Sequence, residues 1–163
     1  MNKLSESQIL QQFREHIDRE TLTDDIKVIY RIAGGMPSER QEEEFRLSGS
    51  GKAEAMSQDI LRSIPAQQVS EELEPSETRG LFRQIGSVLD SLVPRSEAKF
   101  MPDSAVGSIT IEIGGEEATF YFLADEEERL TQEKPITPQA AEAIQNFRGI
   151  SERLLERERR RKE

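Results

Sequence analysis

The sequence predicts a single α+β domain in which an antiparallel sheet of four to five strands is covered on one face by two main helices. Three observations lead to this expectation. Apolar residues alternate with polar ones on both sides of glycine-rich turns, which is typical of β-hairpins. Two long segments carry apolar residues at helical spacing instead. The predicted strands also follow one another directly, which favours an antiparallel sheet over alternating β-α-β units.

The strongest hairpin signal surrounds Gly114-Gly115. Residues 109–113 alternate apolar and polar side chains up to the two glycines, and residues 118–122 alternate in the same way after them. Burying one isoleucine or phenylalanine contributes about 1.5–3 kcal/mol, so we expect this hairpin to lie at the centre of the sheet. A further strand is predicted over residues 26–33, IKVIYRIA, because β-branched and aromatic residues dominate there.

A second hairpin is predicted around Gly49-Ser50-Gly51, although the following Lys52 raises the alternative of a phosphate-binding loop. Such a loop needs a glycine five residues before its Gly-Lys pair and a serine or threonine after the lysine. Arg46 and Ala53 occupy these two positions. We therefore interpret the segment as a turn between strands.

Three helices are predicted. The first covers residues 5–20 as an additional N-terminal helix with Ser5 as its N-cap, and it packs on the sheet edge or against a second copy of the chain. The main helices cover residues 76–93, with Ser76 as N-cap, and residues 137–156, with Thr137 as cap and a bend or break near Gly149. Residues 57–75 stay undecided, since Pro65 stops a helix and the stretch QQVSEELE could form another edge strand.

The predicted organisation is one domain over residues 1–163. Within it we distinguish an N-terminal helix at 1–22, an α+β core at 25–147 and a charged helical tail at 148–163. The net charge of −10 opposes binding to nucleic acid or to an anionic membrane. No segment has the apolar length of a signal peptide or a membrane span, so a cytoplasmic location is expected.

Few residues suggest chemistry. The chain has no cysteine, which excludes disulfides, thiolate nucleophiles and cysteine-based metal sites. His16 is the one histidine, and we interpret it as a surface residue. The acidic runs at 42–44 and 125–128 are interpreted as solvated faces. We expect no catalytic set, no metal site and no cofactor.

The order of motifs resembles that of emfourin-like proteins. It comprises a strand ending in YRIAGG, a strand near EEFRL, a helix opening with ETRGLFRQI, a loop with Asp103, the hairpin GSITIEIGGEEATFYF and a final helix in PITPQAAEAIQNF. The resemblance covers residues 26–147. It implies a small α+β fold and an inhibitor of protealysin-type metallopeptidases, and no inhibitory residue is carried over.

We therefore expect a non-enzymatic protein-interaction module, a candidate relative of proteinase inhibitors. Its partner is expected to be a metallopeptidase or a second copy of the chain. The expected contact residues lie in the loop after the first strand and before the central hairpin: Gly34, Gly35, Met36, Arg40 and Asp103. The alternative is a small domain or enzyme that binds a metal or ligand through carboxylates, with Asp103, Glu112 or Asp125 lining a cleft.

Overall fold

The structure, a computed structural model, describes residues 5–34, 41–59, 64–94, 105–123 and 137–161. Three α-helices occur in these ranges: α1 (Glu6–Asp18), α2 (Pro75–Val88) and α3 (Pro138–Arg161). The strands are β1 (Ile26–Gly34), β2 (Gln41–Ser48), β3 (Lys52–Asp59), β4 (Ile64–Glu72), β5 (Val93–Pro94), β6 (Ala105–Ile113) and β7 (Glu116–Leu123).

The strands form one antiparallel sheet in the order β4-β3-β2-β1-β6-β7-β5. Six strands are long, and β5 adds only two residues at one edge. The α+β class is confirmed, whereas the expected four to five strands were too few. The difference arises at the edges, where Pro65 weakens the strand pattern of β4 and where β5 is too short to show a period.

In the hairpin β6–β7, Ile111 lies opposite Ala118 and Ile109 opposite Phe120, so the apolar residues of both strands share one face. Its two turn residues, Gly114 and Gly115, have φ angles of +53° and +91°. A two-residue hairpin turn of this kind requires positive φ at both positions, which glycine adopts without strain. The prediction of a hairpin is confirmed.

The segment around Lys52 is also a turn between strands. Gly51 has a φ of +100°, and a Cβ on Gly49 would lie 2.5 Å from the carbonyl oxygen of Thr23. The Asp24 carboxylate accepts hydrogen bonds from the hydroxyls of Ser48 and Ser50, which ties this turn to the start of β1. These bonds, led by that from Ser50, hold the pKa of Asp24 below its usual value.

All three helices lie on the same face of the sheet. α1 contacts β6 and β7, α3 contacts β3 and β4, and α2 contacts both other helices. Phe147 of α3 packs edge-on against Phe45 with ring centroids 4.9 Å apart, and it also contacts the ring of Tyr30. Phe13 of α1 meets Phe82 of α2 at 5.5 Å. The apolar stripe of α1 is therefore buried within the chain.

The helix ends in the structure match those predicted from the sequence only in part. Ser5 caps α1 through a reciprocal capping box with Gln8, and the Thr137 hydroxyl accepts a hydrogen bond from the Ala140 amide of α3. Ser76 is not an N-cap, because Pro75 already opens α2 and Glu74 precedes it. α2 ends at Val88 and continues as a 3-10 turn over Leu89–Ser91, so the predicted end at residue 93 was wrong.

A bend or a break was expected near Gly149. α3 runs through this residue as one helix, so a break does not occur. The apolar positions before and after this glycine lie on one buried stripe. Ile150, Leu154 and Leu155 belong to the same hydrophobic core as Phe147. Helical geometry therefore continues because packing on both sides of Gly149 outweighs its low intrinsic propensity.

Candidate functional site

The second face of the sheet is covered by none of the helices that the structure describes. We call it the open face. It displays the side chains that alternate with the core residues along five strands: Lys27, Ile29, Arg31, Glu44, Arg46, Glu54, Met56, Ser108, Thr110, Glu112, Glu117, Thr119 and Tyr121. Because successive side chains of a strand point to opposite faces, this surface follows directly from the register of the core.

A cluster of three charged side chains occupies the middle of the open face. Glu44 pairs in register with Arg31, and its carboxylate accepts hydrogen bonds from Arg31 Nη2 at 2.5 Å and Arg31 Nε at 3.1 Å. The other carboxylate oxygen accepts from Arg46 Nε at 3.0 Å. The side chain of Glu44 is only 11% exposed, whereas those of Arg31 and Arg46 are 59% and 47% exposed. The two guanidinium groups therefore cover the carboxylate and form the outer surface.

The environment of Glu44 acts on its pKa in two opposite ways. Burial alone would raise the pKa of this carboxyl group. The hydrogen bonds and positive charges of Arg31 and Arg46 outweigh that effect, so the pKa lies below its ordinary value. Glu44 is therefore ionised at neutral pH and fixes the position of both arginines.

Apolar groups border this cluster. Met56 lies opposite Glu44 in the register of β2 and β3, and it is 38% exposed. Ile29 is half-buried between Arg46 on one side and Thr110 on the other. The hydroxyls of Thr110 and Thr119 are 2.9 Å apart and hydrogen-bonded to each other. Arginine, methionine and tyrosine are enriched in protein interfaces, so this composition is suited to contact with another protein.

A groove forms a second feature of the surface, at the outer edge of β4. It has a volume of about 390 Å³ and lies where the C-terminal part of α3 passes over this edge. Val69 and Leu154 contribute apolar surface, and Arg157 donates a hydrogen bond to Glu71 at 2.9 Å across it. Glu158 and Arg160 complete the helical side. We call this feature the β4 groove.

Of the predicted contact residues, the structure describes only Gly34. It ends β1 and pairs with Ala105, the first residue of β6. Gly35, Met36, Arg40 and Asp103 lie outside the described residues, as does Asp125 of the alternative prediction. Glu112 lies on the open face between Lys27 of β1 and Glu117 of β7. Within the described ranges, no three acidic or histidine side chains are grouped so that they could hold a metal ion.

His16 lies in the last turn of α1, where its ring Nδ1 is 2.8 Å from the Thr21 hydroxyl. It therefore belongs to the end of this helix, as a surface residue.

Sequence reasoning missed the role of Glu44. The run Glu42–Glu44 suggested a solvated acidic face, yet Glu44 is among the buried charged residues. The available signal was the alternation of β2, which places Glu44 and Arg46 on one face. The contact with Arg31 depends on the register between β1 and β2, and that register is not visible in the sequence.

Comparison with models of known protein families finds no match, and neither does comparison with curated proteins. None of the helices in the described part of the chain combines the length and the apolar character needed to cross a membrane.

Proposed function

We propose that this chain is a protein-interaction module that acts by binding a partner protein through the open face. The observation that carries the proposal is the centre of this face. There, two ordered arginines cover a buried glutamate and are bordered by the exposed side chain of Met56. Arginines held in place by an ionised neighbour lose little freedom on binding, which reduces the entropic cost of association.

The size of the open face supports the same proposal. Five strands about 4.8 Å apart give a width of about 19 Å, and eight to nine residues per strand give a length of about 27 Å. The product is about 510 Å², in the range of the smaller protein interfaces, which bury less than about 600 Å² per partner. A surface of this size can therefore hold a folded partner.

We further propose a metallopeptidase of the protealysin type as the partner, with inhibition as the consequence of binding. The support is the resemblance in the order of motifs between residues 26 and 147.

The direct test mixes the purified chain with a protealysin-type metallopeptidase and measures both residual peptidase activity and the dissociation constant. Inhibition by a stoichiometric complex is the expected result. If neither binding nor inhibition occurs at high micromolar concentration, the assignment of the partner is wrong.

Substitutions at Met56 test the surface. Met56→Lys places a charge at the apolar border of the cluster, beside Glu44, where the fold tolerates it. We expect at least a tenfold loss of affinity, because an interface core disfavours an unpaired ammonium. Met56→Leu preserves the apolar contact and is expected to bind like the wild type. Ser87→Lys adds the same charge on the exposed side of α2 and controls for net charge. Equal affinities of all three variants would show that the open face is not the binding surface.

A further inference from the structure

We propose that the outer edge of β4 accepts an extended segment of another protein as an added strand, with side chains that alternate between apolar and basic. The segment would lie in the β4 groove beneath the C-terminal part of α3. This proposal does not depend on the open face or on the metallopeptidase, because it concerns a different surface of the sheet.

The backbone of β4 provides the first argument. β4 is the outermost strand of the sheet, and none of the residues that the structure describes pairs with its outer side. The Leu73 amide donates to the carbonyl of Gly51 at 2.8 Å. Hydrogen-bonding direction alternates along an antiparallel ladder, so Val69 and Glu71 point their backbone groups towards β3. The backbone groups of Gln68, Ser70 and Glu72 therefore point outwards, where another strand can pair with them.

The groove provides the second argument. Side chains of an added strand would alternate between the helical side of the sheet and the open face. On the helical side they would meet Val69, which is half-buried, and Leu154, which is 1% exposed. This side therefore favours apolar residues in the added strand. Strand addition commonly obtains affinity from the main chain and specificity from such alternate side-chain positions.

Charge provides the third argument and selects the occupant. On the open-face side, the added strand would lie beside Glu72, which is exposed and has Lys52 of β3 as its neighbour on the other side. The whole chain carries a net charge of −10. A lysine or arginine at these positions is therefore favoured over an acidic residue.

Pairing with a second copy is disfavoured by the same charges. Each copy carries a net charge of −10, and each of the two edges that would meet carries the exposed carboxylate of Glu72. Charged residues on an edge strand are a known means of blocking self-association. These particular charges still allow a basic strand from another protein.

The test uses a synthetic peptide, acetyl-Thr-Lys-Val-Lys-Val-Thr-amide, added to the full ¹⁵N-labelled chain. We expect saturable changes in the amide resonances of residues 68–72 and 154–160. Two control peptides separate the contributions. The first control peptide carries N-methyl groups on alternate residues, so the amides along one of its edges can no longer donate hydrogen bonds to β4. The second has glutamate in place of lysine. Each is expected to bind at least tenfold more weakly.

A variant of the chain tests the charge argument. Glu72 is exposed, so Glu72→Lys should preserve the fold and reverse the preference, with the glutamate peptide binding more tightly than the lysine peptide. The proposal is overturned by absence of saturable changes at millimolar peptide, by changes confined to the open face, or by equal binding of the N-methylated peptide. Sedimentation of the chain as a dimer with protected β4 amides would instead identify a second copy as the occupant and would equally overturn it.

Discussion

Tyr30 shows how a single buried polar group shapes this core. Its ring is 1% exposed and lies between Phe122 and Phe147, yet its hydroxyl has no hydrogen-bond partner among the residues that the structure describes. Leaving such a group unsatisfied costs about 1–3 kcal/mol. The aromatic ring therefore stabilises the fold, and the hydroxyl works against it.

We expect Tyr30→Phe to be at least as stable as the wild type at pH 7, with a gain on the order of 1 kcal/mol. Urea unfolding measures this change. Tyr30→Ala provides the comparison, because loss of the ring should cost about 3–5 kcal/mol. A substantial loss of stability in the phenylalanine variant would mean that the hydroxyl has a partner in solution.

The difference in stability between Tyr30→Phe and the wild type is also expected to depend on pH. Burial raises the pKa of Tyr30 well above its usual value. A group whose folded pKa is raised contributes stability that is complete below the unfolded pKa, about 10 for tyrosine, and that is lost as the pH rises above it. The stability advantage of Tyr30→Phe over the wild type should therefore grow between pH 9 and pH 11. An advantage that stays constant over this range would contradict burial of an ionisable hydroxyl.

Glu44 leads to the opposite pH dependence, because its contribution to stability is lost in acid. Its folded pKa is lowered, so its contribution is present above the unfolded pKa, about 4.3, and is lost as the pH falls through the folded value. We expect Glu44→Gln to cost about 1 kcal/mol at pH 7, because both arginines remain partly solvated. The cost should shrink towards pH 3. Glu54→Gln, which removes an exposed carboxylate from the same face, is the matched control. A cost of Glu44→Gln that stays constant between pH 7 and pH 3 would contradict the prediction.

At the scale of elements, substitutions at two glycines of α2 allow the contribution of helix propensity to stability to be measured apart from that of packing. A Cβ on Gly80 would have no neighbour within 4 Å, so Gly80→Ala should stabilise the chain by about 1 kcal/mol. A Cβ on Gly86 would lie 3.2 Å from Phe13 and 3.3 Å from Ile17 of α1. The gain in propensity is then offset by crowding between the two helices.

We therefore expect Gly86→Ala to be clearly less stable than Gly80→Ala in thermal unfolding, although the substitution and the helix are the same. Similar gains for both variants would indicate that α1 can move away from α2. In that case the contact of Arg14 Nε with the Gly86 carbonyl, 2.8 Å in this structure, should also be dispensable.

The elements also show how far the sequence determines the fold. Local signals predicted the turns at Gly51 and Gly114, because only certain backbone angles fit them, and the caps Ser5 and Thr137, because each satisfies nearby amides. The edge strands were harder to recognise, since β4 gains its form from pairing with β3. The candidate site is harder still. Glu44 and Met56 lie side by side only because of the register between β2 and β3, and no local sequence pattern predicts that register.

At the scale of the whole molecule, the question is whether α1 packs within its own chain or forms an interface with a second copy. The sequence left open whether its apolar stripe packs on the chain itself or on a second copy. Four residues of the stripe, Ile9, Leu10, Phe13 and Ile17, are at most 5% exposed within a single chain. Burial of four such side chains contributes about 6–12 kcal/mol, comparable to the total stability of about 5–15 kcal/mol of an ordinary domain.

Deletion of residues 1–22 should therefore abolish the cooperative thermal transition and expose apolar surface that binds a hydrophobic dye. Phe13→Ala, with an expected cost of about 3–5 kcal/mol, should weaken the transition without removing it. Light scattering on both proteins and on the intact chain distinguishes the two roles. If the intact chain were a dimer, and the deletion variant a monomer with unchanged thermal stability, α1 would belong to an interface between copies. Because the stripe is covered by α2, β6 and β7 of its own chain, we expect loss of the fold instead of a change in oligomeric state.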